Sequence, residues 1–207
     1  SQILGWTGIP FIVRPTQIDE TPLPEEEAAT YVMRMAETKA RKASGSAGFK
    51  ELLITADTTV ADGKEILGKP QSNDEARDML LKLRGRVHFV HTAIVVYSPA
   101  FGRMEKELCT TRVRMRRYSD EEIEKYILSG DPLDKAGAYG IQNSEFHPVD
   151  QMKGCFASVM GLPLCHLERV LRRMGYGERG NVPYLCQDQL AYNCPIFHRV
   201  LNGEDVG

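Results

Sequence analysis

The stretch Leu53–Pro70, LITADTTVADGKEILGKP, decides how this chain is read. Leu52 to Ala56 is apolar apart from Thr55, as expected of a central strand covered on both faces. Asp57 is then expected at the carboxyl end of that strand, where ligands bind in open α/β sheets. Two threonines follow, and a Gly-Lys-Pro turn brings Lys69 back nearby. An ionised carboxylate buried alone costs several kcal/mol, so an acid on an apolar strand calls for a charged partner.

Outward from this stretch, helical and extended patterns alternate, which predicts an α/β fold. A helix is expected from about Glu25 to Ala43, started by Pro24 and three glutamates. Lys39 stands four residues after Met35 and seven after Val32, so it projects from the apolar stripe. It is either a snorkelling side chain or a functional cation. A second helix, Asn73 to Leu83, has the capping-box spacing Ser72 to Glu75, and a strand with alternating apolar residues runs from Val87 to Tyr97. His88 and His91 face opposite sides of that strand and read as structural. A strand around Cys109 to Met115 sets Arg112, Arg114 and Arg116 on one face, with no interleaved aromatics of the kind that bind single-stranded RNA. Ser119 and Glu122 cap a further helix that ends before Gly130, and Leu164 to Met174 forms another behind Pro163.

The segment DPLDKAGAYGIQ, Asp131 to Gln142, is dense in small residues that let backbone approach a ligand, with Lys135 for charge and Gln142 for an amide. It is equally readable as a turn with a surface lysine. From Gly175 onward no periodicity is evident, and residues 175–207 receive no role.

Composition limits the function classes. A chain of 207 residues, 42% hydrophobic and 26% charged, supports one substantial core or one domain with two lobes. A net charge of -2 supplies no field to draw it to nucleic acid or anionic lipid. No apolar run reaches the roughly 20 residues that span a bilayer, and the first residues lack a signal peptide's pattern, so no membrane partner and a cytoplasmic location are expected. The five cysteines contain no C-x-x-C pair, which argues against a disulfide framework or a zinc site and for small buried side chains.

ADTTV at Ala56, EILGKP at Glu65, DKAGAYGIQ at Asp134 and VMGLPL at Val159, with IDE at Ile18 and ETKA around Lys39, resemble in order and spacing the Maf family of nucleoside triphosphate pyrophosphatases. The match covers about residues 1–174. The resemblance implies a strongly twisted mixed β-sheet flanked by helices, in two lobes with a central cleft, related to the inosine triphosphate pyrophosphatases. It also implies hydrolysis between the α and β phosphates to a monophosphate and pyrophosphate, with Mg²⁺ or Mn²⁺. Family members often form homodimers.

In that chemistry Lys39 and Lys69 become phosphate clamps, and Lys135 a weaker third candidate. Glu20 and Asp57 offer the hard oxygens that Mg²⁺ prefers. Asp57 would orient the attacking water or take its proton; the family regards the matching aspartate as proton acceptor, while the residues alone leave base and metal ligand open. Thr58 and Gln142 resemble the branch acting on dTTP and UTP rather than on methylated GTP. A primary amide at Gln142 can donate and accept toward the O4 and N3–H of thymine or uracil.

The alternatives are a nucleotide-binding regulator of cell division without turnover and, from the arginine row, an RNA binder. Family members begin with a strand and a Ser-x-Ser-Pro-Arg-Arg loop. SQILGWTGIPF at Ser1 matches the helix just after that loop, so the natural protein is expected to carry these residues upstream, and a targeting segment further upstream stays open.

Overall fold

The computed structural model describes residues 2–48, 51–177 and 180–207. Ser1, Phe49, Lys50, Glu178 and Arg179 lie outside the described residues, and the expected units 1–174 and 175–207 are described without them. The elements in chain order are α1 (Gln2–Gly5), α2 (Ala28–Ser44), β1 (Leu53–Asp62), β2 (Glu65–Leu67), α3 (Asn73–Leu83), β3 (Val87–Ser98) and β4 (Arg103–Met115). They continue with α4 (Asp120–Leu128), β5 (Val149–Lys153), α5 (Phe156–Val159), α6 (Leu164–Arg173), α7 (Val182–Leu190) and α8 (Phe197–Leu201).

Five strands form one sheet in the order β2-β1-β3-β4-β5. A mixed sheet was expected, yet every pairing among the described strands is antiparallel. Tight links explain two of them, since the β1–β2 turn and the short β3–β4 connection through Pro99–Phe101 can only reverse the chain.

The central strand β3 is covered on both faces, and its alternation sorts the layers. Ala93 and Val95 pack with Val32, Met35 and Ala36 of α2, while Ile94 and Val96 pack with Leu164, Leu167 and Val170 of α6. A third cluster joins α3 and α4 at the other end of the sheet through Leu80, Leu83, Tyr118, Ile123 and Phe146.

Two helix starts follow their sequence signals closely. Ser119 and Glu122 complete a reciprocal capping box, whereas Ser72 Oγ accepts from Glu75 N while the Glu75 carboxylate turns to Gln71 N instead. The first long helix begins later than expected, at Ala28 rather than Glu25. Glu25 has a positive φ of 55°, and Glu26 is committed to Leu23 N and Arg34, so these acids close the approach to α2 instead of forming its first turn.

The arginine row is a solvated face. Arg114 is exposed beside Asp150, and Arg116 pairs with Glu122 at 2.7 Å.

Residues 180–207, where no elements were expected, form α7 and α8 against α6. Val182 joins the α6 core cluster, and Arg169 Nη1 donates to Val200 O at 3.1 Å and Glu204 O at 2.6 Å. These helices are short and held mainly by tertiary contacts, which is why no periodicity announces them. Among the described residues no helix is long and apolar enough to cross a membrane.

Candidate active site

One correction governs the site. Asp57 does not end its strand: β1 continues to Asp62, and Asp57 sits within it opposite Ala93. The acid is accommodated there because β2 pairs with β1 only from Val60 to Asp62. Before Val60, the edge of β1 away from β3 has no strand partner among the described residues. Neighbouring side chains on opposite faces can therefore both reach the open side.

Asp57 shares its face with Ala93 and so points to the layer of α2, where the apolar stripe presents Lys39. Lys39 Nζ lies 2.5 Å from Asp57 Oδ1 and 2.9 Å from Glu20 Oε1. The Asp57 and Lys39 side chains are 12% and 20% exposed, while Glu20 is 53% exposed, so the first pair is shielded and the second partly wet. Burial pushes the Asp57 carboxyl up, and the bond to Lys39 only partly offsets it. Burial also opposes the charge on Lys39, yet two carboxylates hold its ammonium above the ordinary lysine value. Both partners are thus raised, because Lys39 has two anions and Asp57 one close cation.

A cleft of about 380 Å³ opens over this pair. All seven residues singled out in the sequence line it: Glu20, Lys39, Asp57, Thr58, Lys69, Lys135 and Gln142. They differ in how far they are engaged. Lys135 Nζ is bound to Asp131 at 2.8 Å and Asp134 at 2.6 Å, so much of its charge is already answered. Lys69 is exposed, and no carboxylate pairs with it among the described residues. Its loop is tied down through Gly68 O, which accepts from Gly137 N at 2.9 Å.

Gln142 is exposed at the rim. Thr58 faces the opposite way from Asp57, and its hydroxyl bonds Thr92 Oγ1 at 2.9 Å. Thr92 donates to Ser158 O at 2.7 Å, and Ser158 Oγ meets Thr111 Oγ1 at 2.8 Å, a buried chain of hydroxyls running inward from the cleft.

Two aromatic residues of the cleft escaped the sequence reading. Tyr31 Oη donates to Glu20 O at 2.8 Å and fixes the loop that carries Glu20. A signal existed, since Tyr31 lies four residues before Met35 and eight before Lys39 on the same stripe of α2. Tyr139 also lines the cleft, with its hydroxyl bonded to His88 Nε2 at 2.8 Å. His88 and His91 are both committed inside the fold, His91 to Thr110 Oγ1 at 3.0 Å, in keeping with structural roles.

The donor set at the head of the cleft is all oxygen, with Asp57 and Glu20 converging on one cationic centre, now the Lys39 ammonium. That convergence fits a hard divalent cation, which takes one or two carboxylates and leaves its remaining positions to substrate oxygens.

Paired carboxylates and lysines around a cleft of this size, on an α/β sheet, have the chemistry that suits a polyanion beside a divalent cation. The chain belongs to the Maf-like protein family, whose model matches residues 1–174. It is similar to a protein of Dehalococcoides mccartyi strain 195 named dTTP/UTP pyrophosphatase, with 41% identity over 175 residues, 84% of this chain and 78% of the relative. A protein of the same name from Anaeromyxobacter dehalogenans strain 2CP-1 is 41% identical over 177 residues, 84% of this chain and 89% of the relative. Another from Methylobacillus flagellatus is 40% identical over 176 residues, 84% and 87% of the two chains.

Proposed function

We propose that this chain hydrolyses nucleoside triphosphates, dTTP and UTP foremost, to the monophosphate and pyrophosphate. The observation that carries the reading is the convergence of Asp57 and Glu20 on one cation position, with the exposed Lys69 lining the same cleft. The relatives' shared name supplies the substrates.

Asp57 and Glu20 would hold Mg²⁺ or Mn²⁺, whose bound charge offsets the charge that builds on the phosphoryl oxygens. The rest is done by the chain itself. Asp57, shielded at the head of the cleft, orients the attacking water and accepts its proton at a carboxylate oxygen. Lys69 clamps the phosphate chain. Lys39 competes with the cation for the same two carboxylates, and once released from them it is a second clamp; Lys135, already paired, is a weaker third. Displacement at phosphorus demands chiefly positioning and neutralisation, which this set supplies without a covalent intermediate.

Gln142 at the rim reads the base edge through its paired donor and acceptor, and Thr58 is the second specificity position. Residues 1–174 carry this activity, in a cytoplasmic nucleotide pool, and self-association into a homodimer is open to sedimentation measurement.

The test is pyrophosphate release from dTTP with Mg²⁺ or Mn²⁺. Product from the wild type, and its loss in Asp57→Asn with nucleotide binding retained, is expected. Binding without any product from the wild type would replace this reading with that of a non-catalytic regulator. A clear preference for GTP over dTTP, UTP and CTP would remove the base assignment.

A further inference from the structure

All five cysteines of the chain, distant in sequence, gather where residues 180–207 cover the sheet. Cys109 comes from β4, Cys155 precedes α5, Cys165 lies on α6, Cys186 on α7, and Cys194 in the link to α8. Cys155 is the hub: it packs with Cys109 and Cys186, and with Cys165, Cys186 and Cys194 it lines a void of about 20 Å³. His166, next to Cys165, turns into the same region. Cys109, Cys155 and His166 each offer a ligand atom within 4.8 Å of the other two, and their residues are 0%, 7% and 1% exposed.

We propose that Cys109, Cys155 and His166 form a buried site for a thiolate- and imidazole-binding metal ion, Zn²⁺ foremost, separate from the nucleotide cleft. Zn–S and Zn–N bonds of about 2.3 and 2.0–2.1 Å at tetrahedral angles set ligand atoms roughly 3.5–3.8 Å apart, so the three groups need to close by only about an ångström.

The state of His166 is the independent observation. Its Nε2 faces Val206 O at 3.2 Å, and because a carbonyl can only accept, Nε2 carries the ring proton. Nδ1 is then a lone pair, buried and without a hydrogen-bond partner among the described residues. One nitrogen donating to a backbone carbonyl and the other left bare is the arrangement that orients a metal-bound imidazole. A second ring proton at Nδ1 would be buried with no acceptor among the described residues, so the ring is neutral, the form that ligates.

Hydrogen bonding to Cys109 and burial keep the Cys155 thiol protonated while no metal is bound. Sulfur ligates a metal as thiolate, so binding would release the Cys155 proton to solvent. Among the described residues no fourth side-chain donor joins this group, so the fourth position would be left to a water.

The donor chemistry separates this site from the cleft. Sulfur and nitrogen select Zn²⁺ or Co²⁺, whereas the oxygens of Asp57 and Glu20 suit Mg²⁺ or Mn²⁺. The absence of C-x-x-C spacing, which argued against zinc, does not apply when the ligands come from three separate elements. Because His166 holds Val206, an occupied site would also fasten the end of the described chain to α6.

The test is a Co²⁺ titration of the full chain after chelator treatment, in excess Mg²⁺ to keep the cleft out of the readout. One equivalent should give intense near-ultraviolet thiolate-to-cobalt absorption that Zn²⁺ abolishes by displacement. Cys155→Ser should lose that absorption, and His166→Ala should weaken Co²⁺ binding at least tenfold. Because these substitutions open the core, a second readout uses the wild type alone: Zn²⁺ in excess Mg²⁺ should raise Tm. Saturation with Co²⁺ without thiolate absorption, the same absorption in a Cys109→Ser/Cys155→Ser double variant, or an unchanged wild-type Tm with Zn²⁺ would each overturn the proposal.

Discussion

Lys39 Nζ lies 2.5 Å from Asp57 Oδ1, a pair between the helix over one face of the sheet and the strand beneath it. Each makes the other tolerable where it is, so their removals should not be additive. In a double-mutant cycle by urea unfolding, Lys39→Met alone should destabilise by about 1–3 kcal/mol, because it strands a shielded carboxylate. Adding Asp57→Asn should recover part of that loss. Strict additivity would show that the pair contributes nothing to the fold.

Lys69 should behave differently, because it is exposed and has no carboxylate partner to abandon among the described residues. Lys69→Ala should raise KM for dTTP about tenfold, equivalent to about 1.4 kcal/mol, with stability changed by less than about 0.5 kcal/mol. Steady-state kinetics beside a thermal melt checks both halves, and an unchanged KM removes Lys69 as a clamp.

Gly137 holds the Lys69 loop from the other side. Its φ is +69°, a β-carbon there would come within 2.9 Å of Val60 Cγ2, and its N–H serves Gly68 O. Gly137→Ala should destabilise the protein by about 2–3 kcal/mol, from the left-handed backbone and the clash together. Its KM should rise with that of Lys69→Ala. A variant as stable as the wild type would mean that Val60 yields easily.

His88 is 1% exposed, and burial holds its pKa at about 4 against an ordinary 6.5. Above pH 6.5 the ring is neutral in both states and adds no pH dependence. As pH falls below 6.5 the unfolded chain gains a proton that the folded chain refuses until about pH 4. Stability is lost through that window, by up to about 3 kcal/mol. His166 and His91 add to the same trend, so the comparison is between wild type and His88→Gln: the variant should lose less on going from pH 7.5 to 4.5. Equal losses would sink the assignment.

Gln142→Ala should leave stability near wild type, given the exposure of the side chain, and should shrink the preference for dTTP over CTP by at least tenfold. Competition between the two nucleotides in one reaction measures this directly.

Much of this arrangement could be read beforehand, and the reasons are local. The stripe Val32, Met35, Lys39 forecast that a lysine would enter the sheet side of α2, because helical spacing fixes direction. The two capped helices carried their signals within four residues. The place of Asp57 within β1 was not legible, because it depends on β3 pairing with β1 as far as Ala61, a property of the neighbouring strand. Tyr139 and the cysteine cluster were hidden for the same reason: their partners lie far along the chain and meet only after the sheet assembles. Residues 180–207 gave no pattern since neither α7 nor α8 has a side-chain cap to announce it, and α8 is little more than one turn.

The chain of hydroxyls behind Thr58 has a direction. Ser158 O, a carbonyl, takes the only proton of the Thr92 hydroxyl, so Thr92 must accept from Thr58. Thr58 has then spent its own proton inward and turns only lone pairs toward the cleft. Its partner on an incoming nucleotide must bring the hydrogen, as an imide N–H or a sugar hydroxyl does and a bare ring nitrogen does not. The buried residues Thr92 and Ser158, which do not line the cleft, thereby set the polarity of the surface that a nucleotide would meet.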